Sequence, residues 1–302
     1  MSVPTVPRRI RSIPYLLLAP ALIVIVGVLG YPLATLVQIS FQKYGLAELL
    51  KGSGSWTGLS HYTDIVGDSF FWGVVGRTIV FTAVNVALTV GAGTLIALLM
   101  RKAHRAVRLT ATVALVAVWA TPGLVAIAVW QWMFDYEFGV VNWLLTKLGA
   151  GDFTHHNWFE NPVQGLGVVT AVIVWGAVPF VAISLHAALT QVPDEVVEAA
   201  ELDGAGRLQV FRYVILPVIR PVLALLTLLQ IIWDFQVFNQ VWVMTGGAPT
   251  EGYYLIGVYS YVQSFGVGDY GSGAAVAVVM VLLLALVAFG YVRGLLRKEQ
   301  TQ

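Results

Sequence analysis

Residues 198–221 read EAAELDGAGRLQVFRYVILPVIRP, a polar segment with two glycines that lies between two long apolar runs of the chain. Upstream of it stand Pro193 and the acids Asp194 and Glu195. This order is typical of a helix start, because proline suits the first turn and acids there oppose the helix dipole. The sequence therefore predicts short helices here instead of a featureless connection.

The composition of this segment favours a first short helix with a small apolar surface, which Ala199, Ala200 and Leu202 provide. Gly204 and Gly206 permit the left-handed backbone geometry that ends a helix and turns the chain. A second short helix is expected to follow, anchored by the aromatic side chain of Phe211. The residues alone leave two interpretations open, an amphipathic connector on a membrane surface and a docking surface for a cytoplasmic partner.

The composition of the whole chain is that of an integral membrane protein. Of its 302 residues, 58% are hydrophobic and 11% are charged, with a mean hydropathy of +0.80. In an ordinary soluble domain about 25% of the residues are charged. A soluble protein cannot hide this much apolar surface, so we predict an all-α membrane protein. The chain has no cysteine, which excludes disulfides, thiolate metal sites and a cysteine nucleophile.

Six apolar stretches are long enough to cross a bilayer, for which about 20 residues are needed. The first exceeds the apolar part of a signal peptide and no convincing cleavage site follows it, so we expect an uncleaved helix. We predict one transmembrane domain over residues 13–293, between an N-terminal segment at 1–12 and a tail at 294–302. The six predicted spans are residues 13–41, 74–100, 109–134, 165–190, 218–244 and 272–293.

The distribution of basic residues predicts the orientation of these spans. Thirteen of the 17 Lys and Arg residues lie on one side, and only Lys43, Lys51, Arg77 and Lys147 lie on the other. Basic residues accumulate in the cytoplasmic loops of membrane proteins. We therefore expect both termini, and the loop 191–217, in the cytoplasm.

Prolines within two of the predicted spans are expected to interrupt their helices. Pro122-Gly123 falls in the third span and Pro179 in the fourth. Each proline removes a backbone hydrogen bond that neighbouring groups must replace. Such kinks form hinges and line cavities in transporters, although they also occur in static bundles.

Motifs for chemistry within this chain are missing. There is no G-x-x-x-x-G-K-[ST] phosphate loop, no H-E-x-x-H metal pair and no G-x-S-x-G nucleophile motif. The five histidines are not at the helical spacing of metal ligands. We therefore expect no catalytic residue, no metal site and no bound nucleotide in this polypeptide.

The 198–221 segment resembles the EAA loop of ABC importer permeases, whose pattern is E-A-A-x3-G-x9-I-x-L-P. One position departs from it, because Val214 stands where isoleucine is usual. The resemblance is to carbohydrate permeases of the maltose and glycerol-phosphate type. The residues to which it assigns coupling to an ATPase are Glu198, Ala199, Ala200, Asp203, Gly204, Phe211, Leu216 and Pro217.

Two further segments are similar to these sugar permeases. Residues 58–62 resemble their G-L-x-N-Y sequence and residues 245–249 their T-G-G-G-P turn, each with one substitution. By itself the second segment is a helix stop. The family implies that it contacts an extracytoplasmic binding protein, through Gly246, Gly247 and Pro249.

The resemblance implies a six-helix permease of the type I ABC importer architecture in the bacterial plasma membrane. Its implied partners are a second homologous permease subunit, two ATP-binding cassette subunits that bind ATP and Mg²⁺, a substrate-binding protein and membrane lipid, with no nucleic acid. The loop 191–217 would then contain a coupling helix that sits in a groove of the ATPase. Closure of the two ATPases on ATP would tilt the spans from inward-facing to outward-facing.

Polar and aromatic side chains within the spans are candidates for the substrate path, because burying polar groups among lipids is costly. Amides, carboxylates and aromatic rings suit a carbohydrate, and hydrogen bonding between helices is the alternative role. The predicted path residues are Gln131, Trp175, Gln230, Trp233, Asp234, Gln236, Asn239 and Gln240.

A protein of another class is the main alternative, namely an ion-coupled secondary transporter or channel that needs no ATPase. Ion coupling normally uses carboxylates inside the membrane, and Asp234 is the one clearly central acid. No inverted repeat is visible in the sequence, which also disfavours this class. A membrane scaffold without transport activity is a third possibility.

Overall fold

The computed structural model describes residues 8–299, and it describes side-chain surroundings for residues 17–294. The predicted N-terminal segment 1–12 and the predicted tail 294–302 therefore lie partly outside the described residues. Their cytoplasmic location, and the single membrane domain between them, stay predictions.

Contacts divide the chain into two compact units. The first contains the residues up to Asp68 together with Ser260–Val279, and the second contains Ser69–Tyr259 with the residues from Met280 onward. In the first unit, β1 (Gln42–Lys43) pairs antiparallel with β2 (Ser55–Trp56). All the residues to which a function is assigned below lie in the second unit.

Helices make up most of residues 8–299, as the composition predicts. Short π-helical turns interrupt or extend three of them, and a 3₁₀ turn lies at Glu251–Tyr253. The α-helices of the described residues are α1 (Arg8–Ile25), α2 (Tyr31–Ser40), α3 (Leu46–Lys51), α4 (Ser60–Gly67), α5 (Ser69–Lys102), α6 (Arg105–Trp119), α7 (Gly123–Met133), α8 (Val140–Lys147), α9 (Pro162–Leu189), α10 (Asp194–Leu202), α11 (Arg207–Val210), α12 (Leu216–Phe235), α13 (Asn239–Met244), α14 (Ile256–Tyr261) and α15 (Tyr270–Glu299).

Among the described residues, five helices are long and apolar enough to cross a membrane, and a sixth span exists if α6 and α7 are counted together. These two helices are bent by 95° at a short break. The third predicted span is therefore not one helix. The break occurs where Pro122 lacks an N–H group and pushes the residue before it out of the helical region.

The interruption expected at Pro179 is not found, because α9 continues through this residue over its full length. Pro179 is buried within the helix, and the carbonyl of Trp175 loses its usual i+4 donor there. A proline inside a helix packed on its neighbours is thus tolerated here without a break.

The fifth predicted span, 218–244, is also divided, because α12 ends at Phe235 and α13 begins only at Asn239. No proline or glycine lies between the two helices. Phe235 and Val237 are both buried, and two residues that are two apart do not share a face of a regular helix. The break between α12 and α13 therefore coincides with the burial of both side chains.

The core of the second unit lies where α5, α9 and α12 pack on one another. Val181, Leu185 and Ile219 are fully buried in it. Gly93 allows α5 to approach α9 closely, since a Cβ at this position would lie 2.5 Å from Val181 Cγ1. Residues 191–217 lie beside the end of α5, and a cavity described below is lined by α9 and α12.

Candidate functional site: the EAA segment and the interior cavity

The EAA segment, residues 191–217, begins with α10. Asp194 and Glu195 occupy the first turn of this helix, as predicted, and Pro193 stands at the N-cap position directly before it. At the other end Ala205 N–H donates to the Ala200 carbonyl at 3.0 Å, while Gly204 N–H donates to the Glu201 carbonyl at 3.1 Å. Together these two bonds form a Schellman motif, in which a left-handed residue ends the helix.

Gly204 has the left-handed conformation that this motif requires, with φ of +89°. Gly206 does not, because its φ is −69°, so the left-handed geometry predicted for it is wrong. Instead Gly206 precedes α11, and its N–H donates to Gln209 Oε1 at 2.8 Å. One glycine turns the chain and the other starts the next helix.

A separate second short helix is not present. α11 continues through a π-helical turn at Phe211–Ile215 into α12, and Phe211 packs against the core. The Leu216 N–H donates to the Phe211 carbonyl, five residues earlier. This wide turn lies directly before Pro217, which has no N–H to continue the regular pattern. The EAA segment is therefore rigidly continuous with a span.

The exposed side of the EAA segment carries large apolar side chains. Leu202, Leu208 and Tyr213 have exposed fractions of 88%, 78% and 71%. Glu198 is exposed as well, whereas Ala200 packs towards the core. Leu208 and Tyr213 were absent from the predicted coupling residues, although an apolar residue in a polar loop is a usable signal for a contact surface.

A groove of about 500 Å³ separates the end of α5 from the EAA segment, with Glu198, Glu201 and Phe211 on one wall. Arg101 bridges the two sides, because its Nη2 donates to Asp194 Oδ1 at 2.8 Å and to the carbonyl of residue 192 at 3.2 Å. Its side chain is 17% exposed, against 85% for Asp194. The first residue of α10 is thus tied to the last turn of α5.

A cavity of about 300 Å³, here called the interior cavity, lies between the α6–α7 bend, α9 and the end of α12. Trp119 and Phe180 form part of its wall and stack with a ring separation of 6.5 Å. These two rings were not among the predicted path residues. Five of the eight predicted residues line it: Trp175, Gln230, Trp233, Asp234 and Gln240.

Gln230 and Asp234 lie one turn apart on α12 and are buried, with exposed fractions of 0% and 2%. Neither the amide atoms of Gln230 nor Asp234 Oδ2 has a hydrogen-bond partner among the described residues. A buried polar group without a partner costs about 1–3 kcal/mol. The cavity therefore presents donors and acceptors that a ligand or water can satisfy.

The other three predicted path residues do not line the interior cavity. Gln236 is exposed and donates to the carbonyl of residue 232 at 3.0 Å, and Asn239 is exposed at the start of α13. Their assignment to one helix face is wrong because α12 has already ended. Gln131 lies at a second cavity, of about 310 Å³.

A buried polar stripe on α5 was also missed. Thr82, Asn85 and Thr89 are buried, and each has one polar atom without a hydrogen-bond partner among the described residues. Their spacing of three and four places them on one helix face. Polar residues at this spacing within a span are a signal that the sequence does contain.

Residues 89–300 match the family described as "Binding-protein-dependent transport system inner membrane component". The chain belongs to this family. The matched residues include the whole EAA segment and every residue that lines the interior cavity.

Two named relatives are permeases that align with this chain over most of their length. The chain is 43% identical over 289 residues to the "Diacetylchitobiose uptake system permease protein DasB" of Streptomyces coelicolor. This alignment covers 96% of this chain and 88% of the relative. The chain is 27% identical over 292 residues to the "Trehalose/maltose transport system permease protein MalF" of Thermococcus litoralis, which covers 96% of each.

A solved structure has the same fold. It is a chain of a bacterial ABC transporter involved in the import of the acidic polysaccharide alginate, with a TM-score of 0.79 at 18% identity. The match covers 95% of this permease and 96% of that chain. The protein is thus a helical, multi-pass permease of the ABC importer class. Its family consists of membrane components of transport systems and not of enzymes.

The turn after α13 in this permease has two left-handed glycines, Gly246 at φ +70° and Gly247 at φ +77°. Gly246 is exposed and Gly247 half-buried, whereas Pro249 is buried. Pro249 therefore does not belong to the exposed surface of the turn. A contact of the two glycines with a binding protein stays a prediction.

Proposed function

We propose that this permease carries a di- or oligosaccharide into the cytoplasm by alternating access, driven by ATP that separate subunits hydrolyse. The observation that carries the proposal is the interior cavity. It combines buried Gln230 and Asp234, which have unsatisfied polar atoms, with the rings of Trp175 and Trp233. Hydroxyl groups of a sugar pair with amides and carboxylates, and its apolar face packs on aromatic rings.

The names of the relatives support a carbohydrate of this size. The Streptomyces relative is named for diacetylchitobiose uptake and the Thermococcus relative for trehalose and maltose. All three are neutral disaccharides. Among the described residues no lysine or arginine lines the interior cavity, so its wall offers no cationic side chain to a phosphate ester.

The EAA segment supplies the surface on which an ATP-binding cassette subunit docks. Exposed Leu202, Leu208 and Tyr213 provide apolar contact area next to the charge of Glu198. The Schellman turn at Gly204 and the continuous helix from Arg207 give the surface a fixed shape. The small, exposed side chain of Ala199 allows close approach of the partner.

The complex then contains two cassette subunits that bind ATP and Mg²⁺, this chain, a second homologous permease and a binding protein on the outer side. Closure of the cassettes moves α10, and Arg101 passes the movement to α5. The spans around the interior cavity tilt in response, so that the cavity opens first to one side of the membrane and then to the other.

Reconstitution of the complex in proteoliposomes tests this function. We expect uptake of labelled diacetylchitobiose, maltose or trehalose to require internal ATP and an external binding protein. Gln230→Leu should raise KM at least tenfold, because it removes both polar atoms from the cavity wall. Gln236→Leu is the matched control, since Gln236 is exposed outside the cavity. Uptake driven by an ion gradient without ATP would instead establish a secondary transporter.

A further inference from the structure

The second cavity, here called the α7-end cavity, is walled by three separate stretches of the chain. The end of α7 and the turn after it supply Gln131, Phe134 and Asp135. The other walls are residues 157–159 and the segment 244–253 that follows α13. Its volume of about 310 Å³ lies within the range of small-ligand sites, about 300–1,000 Å³.

Asp135 brings a charged acceptor to this cavity. Its Oδ1 accepts the backbone N–H groups of Glu137 and Phe138, both at 2.9 Å. Hydrogen bonds from the N–H groups of Phe138 and Glu137 lower the pKa of the Asp135 carboxyl, so the group is ionised at neutral pH. Its Oδ2 accepts no hydrogen bond from the described part of the chain.

Two amides on the wall are also only partly used. Asn157 Oδ1 accepts the N–H of Phe159 at 3.0 Å, which leaves its NH₂ group free of any described protein partner. Gln131 Nε2 donates to the Val243 carbonyl in a long bond of 3.4 Å, and its Oε1 makes no bond within residues 17–294. The cavity therefore offers both donors and acceptors next to the ring of Phe134.

Hydrogen bonds tie together the stretches of chain that form the walls. Tyr253 OH donates to the carbonyl of Phe159 at 2.8 Å and to that of Asn161 at 3.3 Å. Burial raises the pKa of Tyr253 to about 12, so this donor stays protonated. Arg77 Nη1 donates to two carbonyls of the segment 251–254, at 3.0 and 2.8 Å. These bonds connect the segment 251–254 to residues 159–161 and to α5.

The α7-end cavity and the interior cavity are neighbours. Trp130 packs against Phe134, which lines the former, at 5.9 Å, and against Trp175, which lines the latter, at 6.1 Å. On α13, Gln240 lines the interior cavity and Met244 lines the α7-end cavity. Four residues of a helix rise only about 6 Å, so the two cavities lie close together along α13.

We propose that the α7-end cavity is a second subsite for a neutral saccharide, which it holds before the sugar reaches the interior cavity. Gln131, Asp135 and Asn157 bind sugar hydroxyls, and Phe134 packs on the sugar ring. The fixed negative charge of Asp135 disfavours a uronic acid or a phosphate ester. The proposal rests on the proposed function, to which it adds a binding step and a preference for uncharged substrates.

The test uses the complete complex with Asp135→Asn. An asparagine keeps the oxygen that accepts the two N–H groups but removes the charge and the free acceptor. Thr250→Val, at another point of the same wall, gives a second, isosteric change. Asp152→Asn is the matched control, because Asp152 Oδ1 also accepts a backbone N–H two residues on, at 2.9 Å, yet lines neither cavity.

Two quantities are measured: KM for uptake of diacetylchitobiose, maltose and trehalose, and the dissociation constant of these sugars from the complex without binding protein, by tryptophan fluorescence. We expect Asp135→Asn to raise both values about tenfold and Thr250→Val to raise them about threefold, whereas Asp152→Asn should leave both values unchanged. Wild-type values in both cavity variants would overturn the second subsite. If the wild-type complex hydrolyses ATP but transports none of the sugars, the proposed function itself has failed.

Discussion

Arg101 is the residue at which a span meets the EAA segment. It holds Asp194 by an ion pair and the carbonyl of residue 192 by a hydrogen bond. Its Nη1 is buried without a hydrogen-bond partner among the described residues. We infer that Arg101 positions α10 for its movement with the ATPase, although it touches neither ATP nor sugar.

Arg101→Ala should lower the amount of sugar transported per ATP hydrolysed about tenfold while the complex still assembles. An ion pair with one exposed partner contributes only about 0.2–1 kcal/mol, so the melting temperature should change little. The exchange Arg101→Asp with Asp194→Arg should restore part of the coupling, because the pair re-forms but the backbone bond does not. Lys102→Ala, next in the chain and exposed, is the control. A normal transport-to-ATP ratio in Arg101→Ala would exclude this role.

Gly204 is the residue that forms the turn at the end of α10. Its φ of +89° suits glycine, although a Cβ there would meet no atom within 4 Å. Gly204→Val should therefore destabilise the turn by about 1–2 kcal/mol through backbone strain alone. We expect reduced sugar uptake with continued ATP hydrolysis, as α10 loses its fixed orientation.

Gly206→Ala is the matched substitution, and it should change the stability of the protein in the opposite direction. The φ of −69° at Gly206 is open to alanine, so this substitution should leave transport intact and increase stability by about 0.4–1 kcal/mol. Thermal unfolding and the transport-to-ATP ratio of both variants give the comparison. Equal behaviour of the two variants would contradict the assignment of the turn to Gly204.

At the scale of the elements, the bend between α6 and α7 shapes the interior cavity. Pro122 and Gly123 lie at the 95° bend, and both helices contribute to the cavity wall. Pro122→Ala should let the helix continue through the break and reduce uptake severalfold. Pro179→Ala should not, because α9 is already continuous there.

Electron-spin distances between labels at positions 108 and 132 would report this change. These positions lie near the far ends of α6 and α7, so straightening of the bend lengthens the distance between them. An unchanged distance with normal uptake in Pro122→Ala would show that packing, and not the proline, sets the bend.

The sequence was most informative where local chemistry decides the backbone. The start of α10 at Asp194, the left-handed Gly204 and the break at Pro122 follow from the residues themselves. The end of α12 at Phe235 and the π-helical turn at Phe211–Ile215 do not, since tertiary packing accompanies both. Neighbours in the fold also decide whether Pro179 breaks its helix.

The predictions for the candidate site divide in the same way. The polar residues of α12 that precede the end of the helix lie at the interior cavity, whereas Gln236 and Asn239 do not. Trp119 and Phe180 reach the cavity only because α6 bends into α7 and packs on α9. Periodicity assigns residues to a helix face, but it cannot show which faces of different helices meet.

At the scale of the molecule, the second unit connects two sites along one helix. Arg77 contacts the segment beside the α7-end cavity, and Arg101 contacts the EAA segment. They are 24 positions apart, which corresponds to about 36 Å of α-helix. This distance exceeds the hydrocarbon thickness of a bilayer, about 30 Å. One long helix thus joins the proposed sugar-binding end to the proposed ATPase-binding end.

The central claim is that binding of sugar at one end controls ATP use at the other. The direct measurement is the ATPase rate of the purified complex in proteoliposomes, with binding protein added first without sugar and then with it. We expect at least a severalfold stimulation by the sugar-loaded binding protein, and we expect Gln230→Leu and Arg101→Ala to abolish it. A rate that does not respond to loaded binding protein, or sugar uptake without any ATPase subunit, would contradict it.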